Sequence, residues 1–141
     1  MVSFVWTPAL AVGFAEMDAQ HQQLIALMGQ LHDEAASQAP KGVFLGTLGE
    51  LGDLTVRHFA EEERVMMAID FPRFDQHKML HIGLLERFMQ YREDLEGPAG
   101  KFTPAFSSFL SGWLTSHIKG PDTQYGVFSG QLVRRSDAGP R

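Results

Sequence analysis

HFAEEE, residues 58–63, sets one histidine ahead of three consecutive glutamates. If none of the glutamates shares a site with His58, the stretch is a charged helix surface. If one does, the rest of the chain must supply further ligands. The surrounding residues give the frame for deciding. Phe44, Leu48, Leu51, Leu54, Val65 and Ile69 recur at helical spacing from about Val43 to the Phe71-Pro72 break. At about 100° per residue with His58 at zero, Leu51 and Ile69 fall near roughly 20° and Phe44 near 40°, with Val65 near −20°. On the same wheel Glu62 falls near roughly 40°, inside that apolar stripe, while Glu61 lies at its edge near −60° and Glu63 faces water near 140°. Glu62 alone is aimed at the core. A carboxylate there needs a proton, a partner or a metal.

Three more helices flank this one. After Asp18, a candidate N-cap, His21, Leu24, Ile25, Met28 and Leu31 make a stripe that runs to about Ala36. Phe74, His77, His81, Leu84, Phe88, Tyr91 and Leu95 make another, stopped by Gly97-Pro98. The last runs from about Thr103 through Phe106, Phe109, Leu110, Trp113 and His117 to a stop at Gly120-Pro121. Four amphipathic helices with short connections predict an all-α fold: an antiparallel up-down four-helix bundle. Val2 to Phe14 is read as an extended arm packed on the bundle, followed at the far end by a short C-terminal helix or tail. We expect residues 1–133 to form one domain and 134–141 a flexible tail. Gly46, Gly49 and Gly52 each weaken the second helix by up to ~1 kcal/mol relative to alanine, so packing must hold it.

The chain has 141 residues, enough for one substantial core. A net charge of −5 provides no basic face for phosphates, which argues against nucleic acid as a partner. No stretch approaches the ~20 apolar residues of a membrane span. Cysteine is absent, which removes zinc–thiolate sites, iron–sulfur clusters and thiol nucleophiles. It also fits a reducing cytoplasm, where we expect the protein, as a monomer.

The histidines repeat the pattern of Glu62. His77 and His81 are one turn apart and project from one face. His21 and His117 sit on the stripes of the first and fourth helices, and Asp122 follows His117 across the Gly-Pro stop, where a short loop would fold it back. Taken singly, each reads as a packed core histidine, and EEE as a solvated face. Jointly, five inward histidines and a carboxylate on four helices read as a metal site. His32 lies ~16 Å along the first helix from His21 and is assigned a structural role. Imidazole and carboxylate suit iron, zinc, copper or manganese. Seven ligands are too many for one ion and suit two. If both carboxylates bridge and an oxide or hydroxide joins them, two six-coordinate ions are left with one open position.

D-A-Q-H at 18–21, H-F-A-E-E at 58–62, H-K-M-L-H at 77–81 and H-I-K-G-P-D at 117–122 resemble the hemerythrins, in particular the single-domain bacterial ones. The resemblance spans Trp6 to Phe128. It implies two iron ions with an oxo or hydroxo bridge, one held by His77, His81 and His117 and the other by His21 and His58, with Glu62 and Asp122 bridging. It also implies an apolar oxygen pocket of Leu24, Phe59, Trp113, Leu114 and Ile118. Dioxygen would bind reversibly, as hydroperoxide, at the open iron beside His21 and His58, for carriage, storage or delivery to an oxygen-using enzyme. Relatives of the fold suggest an oxygen or nitric-oxide sensor, or iron storage and repair; a sensor is expected to carry an output domain. A ferritin-like di-iron oxidase would use Glu-x-x-His pairs and a carboxylate majority. This chain has no Glu-x-x-His and mostly histidine, so binding is expected and turnover is not.

Overall fold

The computed structural model describes residues 4–98 and 100–137, with backbone only for Leu114, Thr115 and residues 131–137. Four stretches of helix form an antiparallel bundle: α1 (Ala15–Ala36), α2 (Lys41–Ala68), α3 (Phe74–Glu96) and a composite fourth. No strand occurs among the described residues. Each helix buries one stripe. In α1 it is Met17, His21, Leu24, Ile25, Met28 and Leu31, and in α2 it runs from Phe44 through Leu51 and His58 to Glu62 and Met66.

The first two turns share one device. Gln38 and Asp70 adopt left-handed φ of 57° and 53°. The next amide in each case reaches back across the helix end, Ala39 N–H to Glu34 O at 2.8 Å and Phe71 N–H to Met66 O at 2.9 Å. These bonds satisfy terminal carbonyls, and Pro40 and Pro72 then prevent the helix from continuing. α1 begins three residues before the expected N-cap. Asp18 lies in its first turn and instead accepts the Val12 N–H at 2.7 Å. That bond ties down the arm, which contains a 3-10 turn at Pro8–Leu10 and buries Leu10 and Val12.

The glycines of α2 have different roles. A Cβ on Gly52 would sit 3.1 Å from the Phe88 ring and 3.3 Å from Arg92, whereas one on Gly46 would meet nothing within 4 Å. Gly52 therefore lets α3 approach α2, and Gly46 carries only the entropic cost.

The fourth helix departs from expectation. α4 (Pro104–Gly112) starts as read, with Thr103 Oγ1 accepting the Phe106 N–H at 3.1 Å. The chain then widens into a π-helix over Trp113–Asp122, passes through Gly120-Pro121 without stopping, and continues as α5 (Thr123–Asp137). The expected Gly-Pro stop and loop are thus corrected. The Thr123 hydroxyl, 2.8 Å from both the Lys119 and Gly120 carbonyls, serves acceptors beside the proline. The expected tail overlaps α5 at residues 134–137, and 138–141 lie outside the described residues.

Two apolar clusters result. One contains Leu24, Leu31, Leu51, Phe59, Phe106 and Trp113; the other contains Leu10, Met17, Met66, Phe71, Ile118 and Tyr125. Along α1, His21 falls between Met17 and Leu24, and along α2, His58 and Glu62 fall between Leu51 and Met66. A polar layer is therefore closed in from both ends.

Candidate metal centre

Every helix of the bundle contributes to that layer. His21, His58, Glu62, His77, His81, His117 and Asp122 are all buried, with both carboxylates at zero exposure. Each imidazole turns Nε2 inward. His77 and His117 Nε2 each lie 2.9 Å from Asp122 Oδ1, and His21 Nε2 lies 3.1 Å from Oδ2. His81 and His58 Nε2 lie 3.1 and 3.4 Å from Glu62 Oε1, and His21 is 3.5 Å from Oε2.

The five-residue step from His117 to Asp122 works because of the π-helix. Its wider turn brings i and i+5 towards one face, where an α-helix would rotate them well apart.

The donor atoms fall into two sets. Those of Glu62, His77, His81, His117 and Asp122 lie within 4.8 Å of one another, as do those of His21, His58, Glu62 and Asp122. The carboxylates belong to both sets.

The charges show what the cluster would hold. His58 Nδ1 is 2.6 Å from Gln20 Oε1, and His81 Nδ1 is 3.1 Å from Glu63 Oε2. Gln20 Nε2 in turn donates to Glu61, which fixes the amide so that its oxygen faces His58. Both contacts place the imidazole proton on Nδ1 and leave an Nε2 lone pair pointing at carboxylate oxygens. Nε2 of His21, His77, His81 and His117, both Asp122 oxygens and Glu62 Oε1 are buried without a hydrogen-bond partner. Acceptors facing acceptors at these distances repel, and a cation between them removes the conflict.

Without metal, protons would fill that role. Burial lowers the pKa of His21, but the facing carboxylates of Asp122 and Glu62, 3.1 and 3.5 Å away, outweigh it and lift the value to about 9. His81 is also raised, because its contact with Glu62 outweighs burial. Burial holds His58 down at about 4. Burial and the neighbouring Asp122 push Glu62 up, yet the surrounding histidines bring it down to about 2. Asp122 is likewise held well below the usual carboxylate range, its own burial being outweighed by His117, His21 and His77.

The expectation that Glu61 and Glu63 merely face solvent is corrected. Both are half-buried and complete the hydrogen bonding behind His58 and His81. Gln20 and Tyr125 were not among the expected site residues. Tyr125 is fully buried on α5 and donates its hydroxyl to Glu62 Oε2 at 2.7 Å. Its signal in the sequence was its place three residues after Asp122. His32 packs between Phe4 and Phe102, with ring centroids 5.7 and 6.1 Å away, in keeping with a structural role.

Leu24, Phe59 and Trp113 line one side of the layer and share a cluster, while Ile118 lies in the other cluster and the side chain of Leu114 is outside the described residues. Phe59 stacks on the His81 ring at 3.8 Å and meets Trp113 edge-on at 5.6 Å.

Fold and site together define an all-helical bundle with an interior, histidine-rich cluster whose two donor sets, each able to hold a cation, share two carboxylates. Residues 12–126 match the hemerythrin HHE cation binding domain, and the chain belongs to that family. It is 32% identical over 126 residues to a bacteriohemerythrin of Stenotrophomonas maltophilia, covering 89% of this chain and 80% of that one. It is 30% identical over 122 residues to a myohemerythrin of Riftia pachyptila, covering 86% and 90%. Among solved structures, a hemerythrin variant with leucine replaced by alanine superposes with a TM-score of 0.82 at 26% identity, over 91% of this chain and 98% of that one.

Proposed function

We propose that the protein binds dioxygen reversibly at a di-iron centre held by His21, His58, Glu62, His77, His81, His117 and Asp122. The observation that carries this reading is the pair of donor sets sharing Glu62 and Asp122, with three histidines in one and two in the other. The unequal count leaves the set with His21 and His58 one protein ligand short. A ferrous pair held there would supply the two electrons that reversible oxygen binding requires.

The chain's own residues account for the rest. Gln20 and Glu63 hold the His58 and His81 rings with Nε2 inward. Glu62 and Asp122, both kept ionised, supply the only two carboxylates within the buried sets. Leu24, Phe59 and Trp113 form an apolar wall beside the layer, with Phe59 against His81, and with Leu114 and Ile118 we assign them to the oxygen pocket. Excluding water there slows loss of a charged oxygen species, and a histidine majority stabilises high-valent iron less than a carboxylate majority would. Both favour binding over turnover.

Carriage, storage or delivery to an oxygen-using enzyme, by a monomer in the cytoplasm, is the role we assign. The absence of cysteine supports that compartment. Among the described residues no helix is long and apolar enough to cross a membrane.

Anaerobic titration with ferrous iron tests the site. A break at about two ions per chain is expected, and at about one for His21→Ala, which depletes the smaller set. A single ion in the unaltered protein, or none, would overturn the assignment.

A further inference from the structure

The two shared carboxylates are not equivalent. Both Asp122 oxygens and Glu62 Oε1 lack a hydrogen-bond partner, whereas Glu62 Oε2 accepts from the Tyr125 hydroxyl at 2.7 Å. Once the imidazoles commit Nε2 to metal, Tyr125 is the one protein group among the described residues still donating a proton to either carboxylate. It does so on the oxygen that faces His21, the side with the smaller donor set.

We infer that Tyr125 is a positioning residue for the di-iron centre: its hydroxyl orients Glu62 and withdraws electron density from Oε2, so that the iron beside His21 stays harder to oxidise. The inference rests on the proposed di-iron reading.

The geometry leaves the phenol little freedom. Tyr125 follows Asp122 by three residues, so the π-helix that delivers Asp122 also sets the start of α5. Its ring is fixed by Phe14 and Phe71, at centroid distances of 5.6 and 6.5 Å, and by His77 at 5.8 Å. The hydroxyl is buried with Glu62 Oε2 as its partner, which holds it as the donor of that pair. A hydrogen bond to an anionic ligand lowers that ligand's donor strength and with it the stability of the ferric state. Oxygen binding would draw two electrons from the ferrous pair, and irreversible oxidation would be the competing loss. A donor on Glu62 favours return of the electrons.

The chain has two tyrosines, and Tyr91, which stacks on Phe106 and Phe109 away from the metal layer, is the matched control. Tyr125→Phe and Tyr91→Phe would be loaded with iron and compared with the unaltered protein by midpoint potential, autoxidation rate in air and rate of iron loss to a ferrous chelator. Tyr125→Phe should bind two irons, show a lower midpoint potential, and autoxidise and lose iron about tenfold faster, the lower end of what outer partners of metal ligands contribute. Tyr91→Phe should match the unaltered protein.

Replacing the single tyrosine of Tyr91→Phe with a fluorinated tyrosine keeps the fold and strengthens the donor, so the potential should move upwards. Unchanged potential and autoxidation in Tyr125→Phe, or no upward shift on fluorination, would overturn the inference. Failure of the unaltered protein to bind iron would instead overturn the reading beneath it.

Discussion

Three neighbouring glutamates separate a metal site from a charged helix face, so Glu61→Ala, Glu62→Ala and Glu63→Ala form the most informative series. Glu62 is completely buried and belongs to both donor sets. Its removal takes away one of two anions facing two divalent ions. Leaving a buried charge without its partner costs ~3–5 kcal/mol. At ~1.4 kcal/mol per tenfold, that is a loss of roughly a hundred- to a few thousand-fold in iron affinity. Glu63 touches the site only through His81 Nδ1, at 3.1 Å, and such outer partners are worth ~10–100-fold. Glu61 acts one bond further out, through Gln20, and should matter least. Anaerobic dialysis against a graded series of ferrous chelators, read as iron per chain, gives the three affinities. At a chelator strength that leaves the unaltered protein full, Glu62→Ala should be empty and the other two largely loaded. Equal losses in all three, or the greatest loss in Glu61→Ala, would refute the helical geometry on which the site rests.

The glycines of α2 should separate in thermal unfolding. Gly46→Ala should stabilise by up to ~1 kcal/mol, whereas Gly52→Ala should destabilise by ~1–3 kcal/mol because the new methyl meets Phe88 and Arg92. The iron-free protein should be most stable near neutrality. Glu62, depressed to about 2, adds stability above its ordinary 4.5 that is lost as pH falls. His58, depressed to about 4, likewise resists protonation in the fold, so stability falls as pH drops below 6.5. His21, raised to about 9, adds stability below 6.5 that is lost as pH rises through 9. Melting temperature against pH should therefore peak at roughly pH 6–7, and iron should flatten the alkaline limb by taking the place of protons. A melting temperature of the iron-free protein that climbs steadily from neutral to pH 9 would contradict this.

Helical periodicity was enough to show the bundle, because each stripe is amphipathic in its own right. It also identified Glu62, since Leu51 and Ile69 define the buried face on which it falls. It did not show the π-helix. Gly120-Pro121 reads as a stop in the grammar of α-helices, and only the five-residue step from His117 to Asp122 hints at a wider turn. α5 was legible only as a short C-terminal helix or tail, because Gly126 and Gly130 interrupt a polar segment. Gly126 has its own cause: a Cβ there would overlap the Val12 carbonyl of the arm. The roles of Gln20, Glu61 and Glu63 depend on contacts between helices, which the pattern of a single helix cannot contain. Asp18 looked like a cap because capping residues also serve other backbone amides, here that of Val12.

One optical experiment tests reversible oxygen binding directly. The protein would be loaded with ferrous iron under argon, exposed to oxygen, and returned to argon while its visible spectrum is followed. A colour that develops with oxygen, fades under argon and returns over repeated cycles, at one oxygen per iron pair, is the predicted result. Conversion in the first cycle to a permanently oxidised form, with oxygen consumed and not recovered, would contradict it.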